Sequence, residues 1–170
     1  IRGCSHFLVI GDDRAFKQGQ KIAGVSLDYA VYEDARNVDL SRDDIALLNL
    51  KNMNPETYRL GQLSPEMGIA VGESTLASLN LAKEGRIDAF VYAPINKEAL
   101  NKGGYHFDSE LRFIAHALGI SEGYGELIAL DDLWTSRVTS HIGIREVAGD
   151  ITRDSVLKAI VLVHSTLMKA

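Results

Sequence analysis

A lysine and an asparagine follow directly after one strongly apolar run of the sequence. The segment from Ala93 to Lys97 reads Ala-Pro-Ile-Asn-Lys, and in open α/β sheets ligands collect where strands end. A lysine at a helix start opposes the helix dipole, so a purely structural reason for Lys97 is weak. Its ammonium could hold a substrate anion or polarise a substrate oxygen, or it could simply be solvated on the surface.

A histidine occupies a comparable position later in the chain. His141 follows the segment Val138 to Ser140, which ends in two hydroxyl residues. Imidazole titrates near neutral pH and is a common metal ligand, so His141 could be a ligand or a base. The alternative is an exposed or capping histidine, since one histidine alone makes no metal site.

Two other polar groups have simpler interpretations. Asp12 or Asp13 follows the first apolar run and is more readily explained as a helix N-cap than as a functional carboxylate. A second local cluster could also ligate a cation, but its spacing matches no closed metal motif, which makes that role the less favoured one. Its members are His106, Asp108, Glu110 and His116.

Several well-known catalytic motifs are absent from the sequence. It contains no G-x-G-x-x-G, no G-x-x-x-x-G-K-[ST], no H-E-x-x-H and no G-x-S-x-G. An ordinary Rossmann enzyme, a P-loop NTPase, a zincin and an α/β-hydrolase are therefore not supported. Gly68 and Gly72 lie inside a helical pattern, where they indicate close packing.

Strands and helices alternate along most of the chain. Two nearby runs, 126–130 and 137–140, are separated by too few residues for a helical crossover and should pair antiparallel. The predicted class is therefore α/β, with a doubly wound, mostly parallel but mixed sheet and helices on both faces. The other predicted strands are 6–10, 29–32, 45–50 and 88–93, and the helices begin near residues 13, 65, 96, 109 and 152.

Composition places the chain among globular proteins. Of 170 residues, 46% are hydrophobic and 24% are charged, and the net charge is −5. Mild acidity argues against nucleic-acid binding through phosphate contacts. Cys4 is the single cysteine, so no internal disulfide is expected and a cytoplasmic location is the simplest. No apolar run is long enough to span a membrane, and no leader opens the chain.

Several strings together resemble one enzyme family. The sequence is similar to the 4-hydroxythreonine-4-phosphate dehydrogenase family of vitamin B6 biosynthesis, with A-P-x-N-K and V-T-x-H-x-x-x-R as the more specific strings. Order and spacing agree throughout the chain. The matching segments are 8–12, 85–100, 104–107, 138–147 and 150–152.

The resemblance implies a dehydrogenase fold like that of isocitrate and isopropylmalate dehydrogenases. It implies oxidation and decarboxylation of a hydroxy acid with NAD or NADP and a divalent metal (Zn, Mg, Co or Mn), in a homodimer. His141 matches one of three metal-binding histidines. Asn96 and Lys97 would lie beside the substrate, with Lys97 as the catalytic residue. The match identifies no nucleotide-binding residue in this chain.

The sequence departs from the family pattern in the substrate site. Where the family has a His-Thr pair that holds substrate, this chain has Glu110-Leu111, followed by Arg112. A carboxylate should repel a phosphate unless Arg112 compensates. We therefore expect these three residues to contact substrate, and the substrate could be a different hydroxy acid or a diol.

The sequence also corresponds only to the front portion of the family. We expect residues 1–170 to form a single α/β unit of a longer, two-lobed dehydrogenase, with a sub-boundary in the loop 52–64. The family's other two metal histidines and most of its nucleotide site have no counterpart in these residues. The competing hypothesis is a non-catalytic binding or assembly module.

Overall fold

The computed structural model describes residues 5–41 and 44–169. Cys4 lies outside the described residues. The chain divides into two compact units, Ile1–Ile114 and Ala115–Ala170. The loop 52–64 falls inside the first unit, and the sub-boundary placed there stays a prediction. Within the described residues, no helix is both long and apolar enough to cross a membrane.

A parallel sheet forms the centre of the first unit. Its strands are β1 (Leu8–Gly11), β2 (Tyr29–Tyr32) and β3 (Ile45–Asn49), in the order β1-β3-β2. Both neighbours pair with β3 in parallel. Ala46, Leu47 and Leu48 of β3 are buried, as expected for the central strand of a covered parallel sheet. The predicted α/β class is confirmed.

Among the described residues of this unit, four α-helices and a short 3-10 helix (Ala35–Asn37) begin where the sequence carries capping signals. α1 (Asp13–Ala23) is capped by Asp12 and ends at Gly24, which is left-handed with φ +65°. α2 (Pro65–Lys83) is capped by Ser64 and has proline at its first position. The remaining two are α3 (Lys97–Lys102) and α4 (Glu110–Leu118).

Glycines allow α2 to pack closely on α3. A Cβ atom at Gly68 would overlap the carbonyl oxygen of Ala99, and one at Gly103 would lie 2.6 Å from the Gly68 carbonyl carbon. Gly72 faces the ring of Tyr105 in the same way. The interpretation of Gly68 and Gly72 as packing residues is confirmed, and this contact fixes where α3 begins.

The predicted strand at 88–93 is wrong in this structure. The segment makes no ladder hydrogen bonds, and Val91 is 97% exposed. The rings of Phe90 and Tyr92, two residues apart, stack with centroids 5.6 Å apart. The physical reason is spacing: a cavity of about 400 Å³ lies between this segment and β1, so hydrogen bonds to that strand cannot form.

The second unit contains a hairpin and two helices. β4 (Leu127–Leu130) pairs antiparallel with β5 (Leu133–Ser136), and in the described residues the two form a separate sheet. The antiparallel pairing is as predicted, but the second strand at 137–140 is wrong. Asp131, with φ +46°, lies in a two-residue turn, so the partner strand begins earlier in the sequence than predicted, at Leu133. The helices are α5 (Ile144–Asp150), which the sequence reading missed, and α6 (Arg153–Leu167).

Candidate functional site

The start of α3 presents Asn96 and Lys97. The side-chain oxygen of Asn96 accepts a hydrogen bond from the backbone N–H of Ala99 at 2.9 Å, so Asn96 is the N-cap of the helix. Ala99 and Leu100 are buried and hold the helix in place. Lys97, the next residue, has a side chain that is 48% exposed. The cap engages the oxygen of Asn96 and leaves its amide nitrogen as the group that could donate to a substrate.

Lys97 faces a carboxylate from the next helix. Its Nζ lies 3.8 Å from Oε2 of Glu110, whose side chain is 22% exposed. Glu110 is the first residue of α4, where a negative charge is favoured by the helix dipole. A separation of 3.8 Å is too long for a direct hydrogen bond but close enough for an ion pair. The structure therefore brings two of the predicted site residues together.

An aromatic cluster fixes the start of α4 relative to α3. Phe113 is 2% exposed, and its ring lies 5.1 Å from that of Tyr105 and 5.2 Å from that of Phe107. The backbone N–H of Tyr105 donates to the carbonyl of Leu100 at 3.1 Å, which ties the cluster to the end of α3. Glu110 lies one helical turn before Phe113, so the cluster fixes its position.

The guanidinium of Arg112 pairs with a different carboxylate and so does not offset the negative charge of Glu110. Its Nη1 donates to Oδ2 of Asp108 at 3.0 Å, and both side chains are largely exposed. Leu111, between the two charged residues, is half-buried. Of the predicted substrate-binding residues, Glu110 and Asn96 lie beside Lys97, whereas the guanidinium of Arg112 is engaged by Asp108.

His141 belongs to the second unit. It is exposed and has a left-handed backbone with φ +58°, which is uncommon for a residue with a side chain. It precedes Gly143, the N-cap of α5, whose N–H donates to Oε2 of Glu146 at 3.0 Å. Residues 5–41 and 44–169 contain no group of three or more His, Cys, Asp or Glu side chains arranged to hold a metal ion. A metal-binding set is therefore not complete in these residues, and His141 could supply only one ligand.

Asp12 is a structural cap, as its sequence position indicates. It is 5% exposed, and its carboxylate accepts hydrogen bonds from the backbone and side chain of Arg14 and from the N–H of Met53. These hydrogen bonds, led by the Arg14 side chain, outweigh the effect of burial and lower the pKa of Asp12 to about 2. The functional alternative for Asp12 is therefore the weaker one.

The cavity beside β1 was not anticipated from the sequence. Several of its polar side chains are already engaged within the protein. The hydroxyls of Thr75 and Ser78 donate to backbone carbonyls of α2 at 2.9 and 2.8 Å. The amide of Asn52 donates to the carbonyl of Ala70 and to Glu73. With mostly apolar walls, this cavity offers little chemistry, and the only sequence signal for it is the small-residue face of α2.

Comparison with known proteins gives a consistent result. The family model for pyridoxal phosphate biosynthetic protein PdxA matches residues 3–170. A D-threonate 4-phosphate dehydrogenase of Cupriavidus necator is 30% identical over all of this chain and 50% of its own length. A 4-hydroxythreonine-4-phosphate dehydrogenase of Geobacter metallireducens is 29% identical over 98% of this chain and 49% of its own length.

A solved structure agrees with these matches. The crystal structure of a 4-hydroxythreonine-4-phosphate dehydrogenase from Burkholderia phymatum superposes with a TM-score of 0.81 at 31% identity. It covers 95% of this chain, and this chain covers 48% of it. The chain thus spans about half the length of the curated relatives it matches.

Proposed function

The chain belongs to the family of pyridoxal phosphate biosynthetic protein PdxA, and from that premise we propose that the whole protein is a dehydrogenase that oxidises and decarboxylates a small hydroxy acid using NAD or NADP. The observation that carries the proposal is the family match over residues 3–170. The relatives are named for 4-hydroxythreonine 4-phosphate and D-threonate 4-phosphate, so hydroxy acids of this size are the substrates to test first.

Lys97 is proposed as the catalytic residue. Its ammonium, half-exposed and oriented by Glu110, can donate hydrogen bonds to the substrate carboxylate or to the oxygen that is oxidised. The amide nitrogen of Asn96 is a second donor at the same helix start. Glu110, Leu111 and Arg112 are proposed to border the substrate, as the family pattern implies for these positions.

His141 is proposed as one ligand of a divalent cation (Zn, Mg, Co or Mn). The other ligands would come from residues outside the described part of the chain or from the second copy of a homodimer. When bound, such a cation lowers the pKa of a coordinated hydroxyl and stabilises negative charge on substrate oxygens. The exposure and left-handed backbone of His141 support a functional role, and calorimetric metal binding to the wild-type protein and to His141→Ala tests it.

The activity test uses the full-length protein as its host produces it. Each of the two phosphorylated hydroxy acids is supplied with NAD or NADP, and formation of the reduced nicotinamide and release of CO₂ are followed with and without added divalent cations. We expect both products to form together, only with a cation, and to be lost in His141→Ala. If neither product forms under any of these conditions, the proposed function is wrong.

One observation favours a second candidate, a non-catalytic assembly module. α5 and α6 contain no buried residue, and Ile144 of α5 is 89% exposed, which is typical of surfaces that associate with further protein. The intact mass of the native protein distinguishes the candidates. A mass well above 18.6 kDa supports the dehydrogenase, and a mass near that value favours the module.

A further inference from the structure

The charges around Lys97 balance locally. From Asn96 to Arg112 there are three cationic side chains besides histidine, and each lies near a carboxylate. Lys97 faces Glu110 at 3.8 Å, Lys102 pairs with Glu98 at 2.9 Å, and Arg112 pairs with Asp108 at 3.0 Å. A phosphate monoester is a dianion that proteins hold with uncompensated arginine or lysine donors. This segment, which the structure describes throughout, offers no such donor.

The geometry of the Lys97–Glu110 pair favours a different kind of group. At 3.8 Å the ammonium and the carboxylate do not hydrogen-bond directly, and a small polar group can bridge such a gap. A hydroxyl fits because it can donate to the Glu110 carboxylate while it accepts from the Lys97 ammonium. A phosphate dianion can only accept, so it would leave Glu110 without a donor and would repel it.

We propose that Glu110 is a specificity-determining residue that makes this site select an unphosphorylated hydroxy acid, whose terminal hydroxyl bridges Glu110 and Lys97 while a second N–H of Lys97 donates to the neighbouring oxygen that is oxidised. The proposal rests on the proposed function, because it places the substrate beside Lys97. It differs from the names of the relatives, which specify phosphorylated substrates. The Asn96 cap and the ring of Phe113 position the two helix starts that carry the pair.

The test compares D-threonate with D-threonate 4-phosphate on the full-length protein. The ratio of kcat/KM for the two compounds is measured for wild type, Glu110→Gln and the double variant Glu110→His with Leu111→Thr. We expect wild type to prefer D-threonate by about tenfold or more, and Glu110→Gln to reduce that preference by about tenfold, since it removes like-charge repulsion of the phosphate. The double variant should favour the phosphorylated compound.

Glu98→Gln is the matched control. It removes the same charge one residue from Lys97, but from the exposed pair with Lys102, and it should leave the ratio unchanged. Thermal unfolding followed by circular dichroism shows whether each variant folds. A wild-type preference for D-threonate 4-phosphate overturns the proposal. A wild-type preference for D-threonate that Glu110→Gln leaves unchanged also overturns it.

Binding of inorganic phosphate separates this proposal from the proposed function. Calorimetry should detect no phosphate binding to wild type and should detect binding to the double variant. If wild type binds phosphate and Lys97→Met abolishes that binding, the selectivity proposal is wrong whether or not the protein is a dehydrogenase. If neither D-threonate compound is oxidised by any variant, the proposed function fails for these substrates. The phosphate measurement still tests the selectivity proposal, because it shows whether the site formed by Lys97 and Glu110 binds an anion.

Discussion

Replacing Asp12 by asparagine should destabilise the protein without changing its chemistry. The Asp12 carboxylate accepts from the backbone N–H of Arg14 at 2.9 Å and from its Nε and Nη2 at 3.0 and 2.7 Å. It also accepts from the N–H of Met53 at 2.9 Å, which ties the loop after β3 to the start of α1. Asparagine keeps one acceptor oxygen, and with it the cap, but loses the negative charge.

The size of the effect follows from the pKa of Asp12. It is about 2 in the folded protein, against 3.8 for an unperturbed aspartate, and at 1.36 kcal/mol per unit this difference is worth about 2 kcal/mol. Because the folded pKa is the lower one, the stabilisation is fully present above about pH 4 and is lost as the pH falls toward about 2. The Asp12→Asn variant cannot show this loss at residue 12.

The assay is urea unfolding of wild type and variant at neutral pH and at several acidic values. We expect the variant to be less stable by about 2 kcal/mol at neutral pH, and the two curves to converge near pH 2. Asp34→Asn is the matched control: Asp34 has the same Asp-x-Arg pairing, with Arg36, and its pKa is also about 2, but the pair is exposed. It should have a much smaller effect, because water screens exposed ion pairs.

Two results would refute this reasoning about Asp12. One is an Asp12→Asn variant as stable as wild type at neutral pH, which would mean that the charge and its hydrogen bonds contribute no net stability; if such a variant also lost activity, Asp12 would be a functional residue rather than a cap. The other is a difference in the free energy of unfolding that does not shrink in acid, which would show that the charge of Asp12 is not its origin.

Three further outcomes are expected. Gly68→Ala should lower the free energy of unfolding by about 2 kcal/mol or more, because the added Cβ meets the backbone of α3. Gly19→Ala in α1 has open space around the added Cβ and should raise the free energy of unfolding by about 0.5–1 kcal/mol. Urea unfolding measures both changes. Lys97→Met should lower kcat/KM at least tenfold, while the control Lys102→Met, on the same helix, should keep a kcat/KM near that of wild type. If the two variants lose the same fraction of kcat/KM, Lys97 is not the catalytic residue. His141→Ala should weaken binding of a divalent cation in calorimetry, and unchanged affinity would exclude it as a ligand.

Local signals in the sequence were enough to predict much of the fold. The strand at Tyr29–Tyr32 was predicted with its observed bounds, since apolar residues there are bounded by polar turns. Asp12, Pro65 and Gly103 mark helix ends through capping chemistry that depends on a few adjacent residues. These features depend on neighbours in sequence, and a sequence contains that information directly.

Features that depend on neighbours in space were predicted less well. Segment 88–93 has strand propensity, but ladder formation needs a partner strand at hydrogen-bonding distance, and the cavity beside β1 keeps it away. The strand at 137–140 was misplaced because the Asp131 turn lacks the usual Asn-Gly or Asp-Gly signal. The start of α5 has a glycine N-cap without a side-chain hydrogen bond, so its sequence signal is weak.

The candidate site shows the same distinction. Asn96 and Lys97 could be singled out from their place after an apolar run, whereas Glu110 was grouped with them only through the family resemblance and by no local signal. That pairing depends on the close contact of α2 with α3 at Gly68 and on the ring of Phe113, which packs against Tyr105 at the end of α3. The packing positions the two helix backbones, whereas the Lys97 and Glu110 side chains, 3.8 Å apart and both partly exposed, can rotate to adjust their separation to a bound group. Both charges are therefore accessible to a bridging hydroxyl, and we expect Glu110-Leu111, in place of the His-Thr pair of the family pattern, to change substrate choice and leave the fold intact.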